Sequence, residues 1–279
     1  MYPPAFDRGQ SLPAGLEQAF AEKVKRLELE LPVLPEAAAT ILQETQKEGW
    51  SVQRVVSALG RDTAMATHLL RIANSPAFAG GTPVVSIQQA ITRLGASQLR
   101  QLAVVIACET GAFVARGFEP EVRAALKHSL AVGLCAKEIA RQRRANVEEA
   151  FLAGLLHDLG WPVAVNALVR LGAGPHVKHA TLEHAERVHA TLGAAVARAW
   201  RLPESIARAI AAHHDTHVDD VLTATIALAD VLVRRTEGEP FDEAQLLELP
   251  ATQVLNLYPD VVQRLARRGV EVFEEAARW

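Results

Sequence analysis

Cysteine is scarce in this chain: Cys108 and Cys135 are the only two among 279 residues, and each stands alone in an apolar helical run. That spacing excludes a disulfide framework and a thiolate zinc site, and it predicts a reducing compartment. An excess of positive charge is also missing. With 29 Lys and Arg against 32 Asp and Glu, the formal charge is −3, and general nucleic-acid binding is not expected of such a surface. The densest basic stretch, Arg141-Gln142-Arg143-Arg144, stands close to Glu148-Glu149 and reads as a solvated helix end. Uninterrupted apolar runs such as Leu102 to Cys108 fall far short of the ~20 residues of a membrane span, and no basic segment followed by an apolar core opens the chain. These absences predict a cytoplasmic protein with no membrane partner. Internal repeats, low-complexity tracts and sustained strand-like alternation are lacking too.

What is abundant is apolar surface at helical spacing. Hydrophobic residues make up 49% of the chain, enough for a substantial core, and nearly every segment repeats them with a 3.6-residue period. The expected fold class is all-α. Helices are predicted near 15–29, 36–48, 51–60, 62–74, 86–94 and 97–114, with Pro35 in a first turn, Ser51 and Ser86 as N-caps and Gly95 as a stop. A second group is predicted near 119–143, 147–158, 161–171, 181–200, 203–214 and 218–236, broken once at Gly172 to Pro175. Short helices near 242–248 and 260–277 would follow a turn at Glu237 to Pro240. The resulting organisation is a leader over 1–14, an N-terminal helical bundle over 15–117, a second helical subdomain over 118–236 packed against it, and a helical tail over 237–279.

The chemistry concentrates in the second group. Phe151-Leu152-Ala153-Gly154-Leu155-Leu156-His157-Asp158-Leu159-Gly160 ends an apolar helix on an imidazole beside a carboxylate, and burying these unpaired would cost several kcal/mol. A metal ion, a hydrogen-bond network or water must compensate. Other candidate partners are His128, His189, the pair His213-His214, and Asp230 in the apolar run Thr225 to Val233. Histidine and aspartate suit iron, manganese or similar divalent ions where no thiolate is present, and Asp158 could bridge two ions through its two oxygens. His213 and His214, if helical, project about 100° apart, so one could serve each ion or one could point elsewhere. Asp230 needs a cation, which a metal or an arginine would supply. His68, His176, His179, His184 and His217 need no shared role, and Trp200 reads as a wedge between helices.

Three further stretches carry a resemblance: Leu31-Pro32-Val33-Leu34-Pro35, Asp62 through Arg71 to Asn74-Ser75, and Ile87 through Ala90 to Gly95. Together with His128-Ser129, Gly154 to Gly160, His189 with Gly193, Trp200 to Pro203 and His213-His214, they resemble the HDOD (HD-related output domain) family of the HD superfamily, over roughly residues 24–235. The resemblance implies a bacterial-type signalling protein with a regulatory or vestigial centre of one or two divalent ions at His128, His157, Asp158, His189, His213, His214 and Asp230. It also implies a signalling protein as partner. The competing class is a metal-dependent phosphohydrolase with a nucleotide or other phosphoester as ligand. Related HD hydrolases, the HD-GYP phosphodiesterases among them, carry a lysine after the His-Asp-x-Gly turn, where a cation meets phosphate. This chain has Trp161 there, and it lacks a Gly-Tyr-Pro loop after the paired histidines. Both departures predict no hydrolysis of cyclic di-GMP.

Overall fold

In the computed structural model the described residues are 11–25, 32–74, 82–109, 115–215, 217–239 and 242–276. Among them every regular element is a helix. In chain order these are α1 (Ala14–Lys25), α2 (Glu36–Glu44), α3 (Val52–Gly60), α4 (Thr63–Ala73) and α5 (Ile87–Glu109). Then come α6 (Glu119–Arg143), α7 (Val147–Leu156), α8 (Gly160–Arg170), α9 (Lys178–Ala199), α10 (Glu204–Ala212) and α11 (Val221–Thr236). The series closes with α12 (Glu243–Glu248), α13 (Pro250–Val254) and α14 (Pro259–Ala276).

The chain forms two compact units, one of residues 33–112 and one of residues 1–32 with 113–279. In the smaller unit α2, α3 and α4 pack on α5 around Ile41, Leu59, Met65, Leu69, Ile91 and Leu102. Local chemistry sets its helix ends. Ser51 accepts from Arg54 N, Asp62 accepts from Met65 N, and Gln89 N donates to Ser86 Oγ, each supplying an acceptor for an orphaned first-turn amide. Gly95 is the expected stop: at φ 72° and ψ 171° it leaves the helical region, so α5 is two helical stretches that meet at a kink there. Ser75 and Pro76 lie outside the described residues.

The larger unit carries α1 and everything from α6 onward. Its core is a stack in which α6 runs against α7, α11 and α14, while α9 packs on α8 and α10. Two glycine crossings set the depth of this stack. A Cβ on Gly154 would fall 2.9 Å from Gly133 Cα, so α6 and α7 touch backbone to backbone. One on Gly160 would fall 2.0 Å from His189 O and 2.4 Å from Gly193 N, which fixes the start of α8 against α9. The stretch Val147–Arg170, taken together, is long and apolar enough to cross a membrane by length and composition, which the uninterrupted runs did not suggest. Its most apolar window is 83% buried inside the unit, and the turn after Leu156 divides it into α7 and α8.

Candidate metal centre

His157 follows the last residue of α7, and Leu159 precedes α8, so the His-Asp pair occupies a tight turn between two buried helices. Leu159 N donates to Leu156 O and Trp161 N to Asp158 O, which ties the turn to both helices. The Gly160 crossing brings α9 against this turn and with it His189; the Gly133–Gly154 crossing brings α6 close and with it His128. α10 delivers His213 and His214 at its C-terminal end, and α11 delivers Asp230. All of these residues are buried except His214, which is exposed.

The seven side chains assemble as two groups around Asp158. Donor atoms of Asp158, His189, His213 and His214 all lie within 4.8 Å of one another, and so do those of His128, His157 and Asp230. Asp158 Oδ1 faces the first group, 3.3 Å from His189 Nε2 and 3.5 Å from His213 Nε2. Oδ2 faces the second, 3.3 Å from His157 Nε2 and 4.0 Å from His128 Nε2. The divergence expected of a helical His213-His214 pair is absent, because α10 ends at Ala212. Both rings turn into the first group, with centroids 4.0 Å apart.

Proton bookkeeping shows what this arrangement demands. Nδ1 of His157, His189 and His213 lies 2.8, 2.6 and 2.7 Å from the carbonyl oxygens of Gly154, Glu186 and Ile210. Carbonyl oxygens only accept, so each Nδ1 carries the proton and a neutral ring bears its lone pair at Nε2. Two of those lone pairs converge, His189 Nε2 being 3.3 Å from His213 Nε2, and His214 Nε2 lies 3.1 Å from His189 Nε2. Nitrogen lone pairs at that separation repel unless a cation, proton or metal, lies between them. His157 Nε2 is buried without a hydrogen-bond partner of acceptable geometry, although Asp158 Oδ2 is 3.3 Å away. The donor set and the orphaned nitrogen fit a divalent ion with imidazole and carboxylate ligands.

The second group can also be satisfied by protons. His128 places Nε2 3.1 Å from Asp230 Oδ1 and Nδ1 3.0 Å from Glu237 Oε2. Burial opposes a charge on this ring, but the hydrogen bonds to Asp230 and Glu237 outweigh it and hold the pKa up at about 10. Burial likewise opposes ionisation of Asp158 and Asp230, and the surrounding imidazoles prevail, keeping both carboxyls below the usual range. His157 is raised despite burial, chiefly by Asp158. His214 is lowered, by desolvation of the ring where it meets the cluster and then by the neighbouring His213, although the residue as a whole is exposed. The arginine considered for Asp230 is present as well: Arg234 Nη1 lies 3.5 Å from Asp230 Oδ2.

Three charged residues escaped the sequence reading. Glu237 falls in the expected turn from Glu237 to Pro240, and Arg234 lies inside the helix expected near 218–236 without a role of its own. Glu186 is partly buried, and its carboxyl is raised first by desolvation. The i, i+4, i+7 spacing of Asp230, Arg234 and Glu237 was the available signal. His184, one of the histidines given no shared role, is buried apart from the cluster, edge-on to Phe20 of α1 at 5.1 Å. Trp200 ends α9 and donates Nε1–H to Pro32 O at 2.7 Å, a contact between segments far apart in sequence.

A paired His-Asp turn inside an all-helical stack, ringed by further histidines, defines an HD-type domain. The profile of the HDOD domain family matches residues 31–216, and the chain belongs to that family. In fold it is similar to a candidate metal-dependent phosphohydrolase from Shewanella amazonensis SB2B, with a TM-score of 0.70 at 20% identity over 95% of this chain and 99% of the other. A candidate signal transduction protein from Marinobacter aquaeolei VT8 gives a TM-score of 0.64 at 23% identity, over 95% of this chain and 65% of the other. An uncharacterised protein of Treponema pallidum (strain Nichols) is 26% identical over 232 residues, 77% of this chain and 44% of its own length. The chain thus spans less than half the length of the curated relatives it matches.

Proposed function

We propose that this chain is a cytoplasmic signalling or regulatory protein in which a centre of one or two divalent ions, iron or manganese, stabilises the conformation that binds a ligand or a partner protein. The observation that carries the metal reading is the approach of the His189 and His213 Nε2 atoms to 3.3 Å beside Asp158 Oδ1, with both Nδ1 protons held by carbonyls, a packing that calls for a cation. His189, His213 and His214 would hold one ion, His128, His157 and Asp230 the other, and Asp158 would bridge them. A bound ion would supply Lewis acidity and a bound water of lowered pKa. What the chain's own residues supply is a largely buried, pre-oriented cage in which the Nδ1 protons of His157, His189 and His213 are locked on carbonyls.

The reading against cyclic di-GMP hydrolysis rests on Trp161. It directly follows Gly160, is 5% exposed and brings an indole to the position where related hydrolases carry a phosphate-binding lysine. The segment after the exposed His214 adds Asp215, Asp219 and Asp220, all exposed acids that disfavour an approaching phosphate. A metal-dependent phosphohydrolase acting on a nucleotide or other phosphoester is the second reading. It is favoured by the two-sided geometry of Asp158, which a dinuclear hydrolytic centre would also use, and by the similarity in fold to the Shewanella protein. Turnover separates the two. Protein supplied with Mn²⁺ or Fe²⁺ should release no product from cyclic di-GMP or a panel of nucleotides and phosphoesters beyond the level of Asp158→Ala. Steady turnover that this substitution abolishes would move the protein into the hydrolase class.

A further inference from the structure

α11 offers the centre more than Asp230. Residues 230, 234 and 237 lie on one stripe of the helix and its cap, since i, i+4 and i+7 recur on the same side. That stripe meets His128 of α6 at both ring nitrogens: Asp230 Oδ1 is 3.1 Å from Nε2, and Glu237 Oε2 is 3.0 Å from Nδ1. Glu237 is the C-cap of α11, at φ −85° and ψ −1°, and its side chain is only 6% exposed. Arg234 braces the same stripe, with Nη1 3.5 Å from Asp230 Oδ2 and Nε 2.8 Å from Glu239 Oε1. All four residues lie beyond the stretch that the family profile covers, which ends at 216.

The contrast with the other inward rings gives Glu237 its meaning. His157, His189 and His213 have their Nδ1 protons fixed by the carbonyl three residues earlier in their own segments. His128 uses a carboxylate 109 residues away in sequence. A carboxylate on the outer nitrogen of a histidine fixes the tautomer, orients the ring and raises the donor strength of the inner nitrogen. We propose that Glu237 is a positioning residue of the metal centre: by holding the Nδ1 proton of His128 it presents Nε2 to the ion that His157 and Asp230 also face. This rests on the metal-centre reading above.

Calorimetric titration of metal-stripped, tag-free protein with Mn²⁺ tests it, with wild type, E237Q and E237A in parallel and a thermal melt of each stripped protein. E237Q keeps an acceptor oxygen and loses the charge. The expected result is two Mn²⁺ sites in wild type, of which one is weakened about 10- to 100-fold in E237Q and at least as much in E237A, the other being unchanged. A merely structural role for Glu237 would lower the melting temperature and weaken both sites together, and that outcome overturns the proposal. So do unchanged Mn²⁺ affinities in both variants, in which case the metal centre stands without Glu237. Wild-type protein that takes up no Mn²⁺ overturns the metal centre and this inference together. Should E237A fail to fold, the split between the two sites in E237Q decides alone.

Discussion

The two units bury acid side chains in different ways. In the smaller unit Glu44 is met by Lys47 and Arg54, two exposed cations from α2–α3 and its loop, and Glu44 is held below its usual pKa mainly by the Lys47 contact. That is a local arrangement, complete in itself and of modest value because its cations are solvated. In the larger unit Asp158 and Asp230 sit among imidazoles from two helices, α6 and α9, and from the turns after α7 and α10, with 4% and 6% of their side chains exposed. The difference teaches where chemistry is concentrated. Glu44 is neutralised by a nearby lysine and arginine, whereas at Asp158 the two converging ring nitrogens of His189 and His213 call for a cation between them.

The largest effect is expected where the fold itself creates that cluster. Gly160→Ala places a Cβ 2.0 Å from His189 O and 2.4 Å from Gly193 N, so α8 and α9 must separate, at a cost of about 3 kcal/mol or more. Thermal melts should fall steeply and metal content should vanish with them. A variant melting like wild type would break the account of how His189 reaches Asp158.

Next in size is the bridge. Asp158→Asn keeps shape and removes the charge shared by both groups, so both ions should be lost from a protein that still folds. His213→Ala should cost the ion of its own group first. Metal analysis of the two variants sharpens the comparison between the halves, and equal retention of metal in Asp158→Asn would contradict a bridging role.

How far the sequence foretold this arrangement varies from element to element. The limits of α6 were readable to the residue, because Pro120 enters its first turn and an apolar stripe runs unbroken to Arg143. His128, His157, Asp158, His189, His213, His214 and Asp230 were named from residue type and order, and the structure brings all seven together. What stayed hidden depends on packing. The close approach of α8 to α9 needs two glycines 33 residues apart, and Glu237 becomes meaningful only when α11 lies along α6. The inward turn of His214 lies past the end of α10 at Ala212, two residues short of what a helical pair requires. The short α13, begun by Pro250 just after α12, carries too few residues for a periodic signal.

A pH dependence follows from the directions of the shifts in metal-free protein. His128 rises from an ordinary 6.5 to about 10 in the folded chain, so its contribution to stability is complete below pH 6.5 and is lost as pH climbs through about 10. Asp158 and Asp230 are lowered from 3.8, so theirs is present above that value and disappears as pH falls through the lower folded values. Melting temperature should therefore be highest on a plateau between roughly pH 4 and 6.5 and decline on both sides, the alkaline limb running up to about pH 10. Glu237→Gln should flatten the alkaline limb. A decline of equal steepness in that variant would show that His128 is not its source.

The smallest effect belongs to the contrast case. Glu44→Gln should lower the melting temperature slightly and leave bound metal unchanged, since Glu44, Lys47 and Arg54 all lie in the smaller unit and the His-Asp cluster in the larger. Altered metal content would blur the distinction drawn between the two kinds of buried acid.

The most direct measurement is the metal content of the full chain expressed without a histidine tag, determined by inductively coupled plasma mass spectrometry against Asp158→Ala purified in the same way. One or two equivalents of iron or manganese per wild-type chain, with none in the variant, is the expected result. Wild-type protein that remains free of stoichiometric metal, even after incubation with Fe²⁺ or Mn²⁺, would contradict the account and leave the cluster as a proton-compensated histidine network.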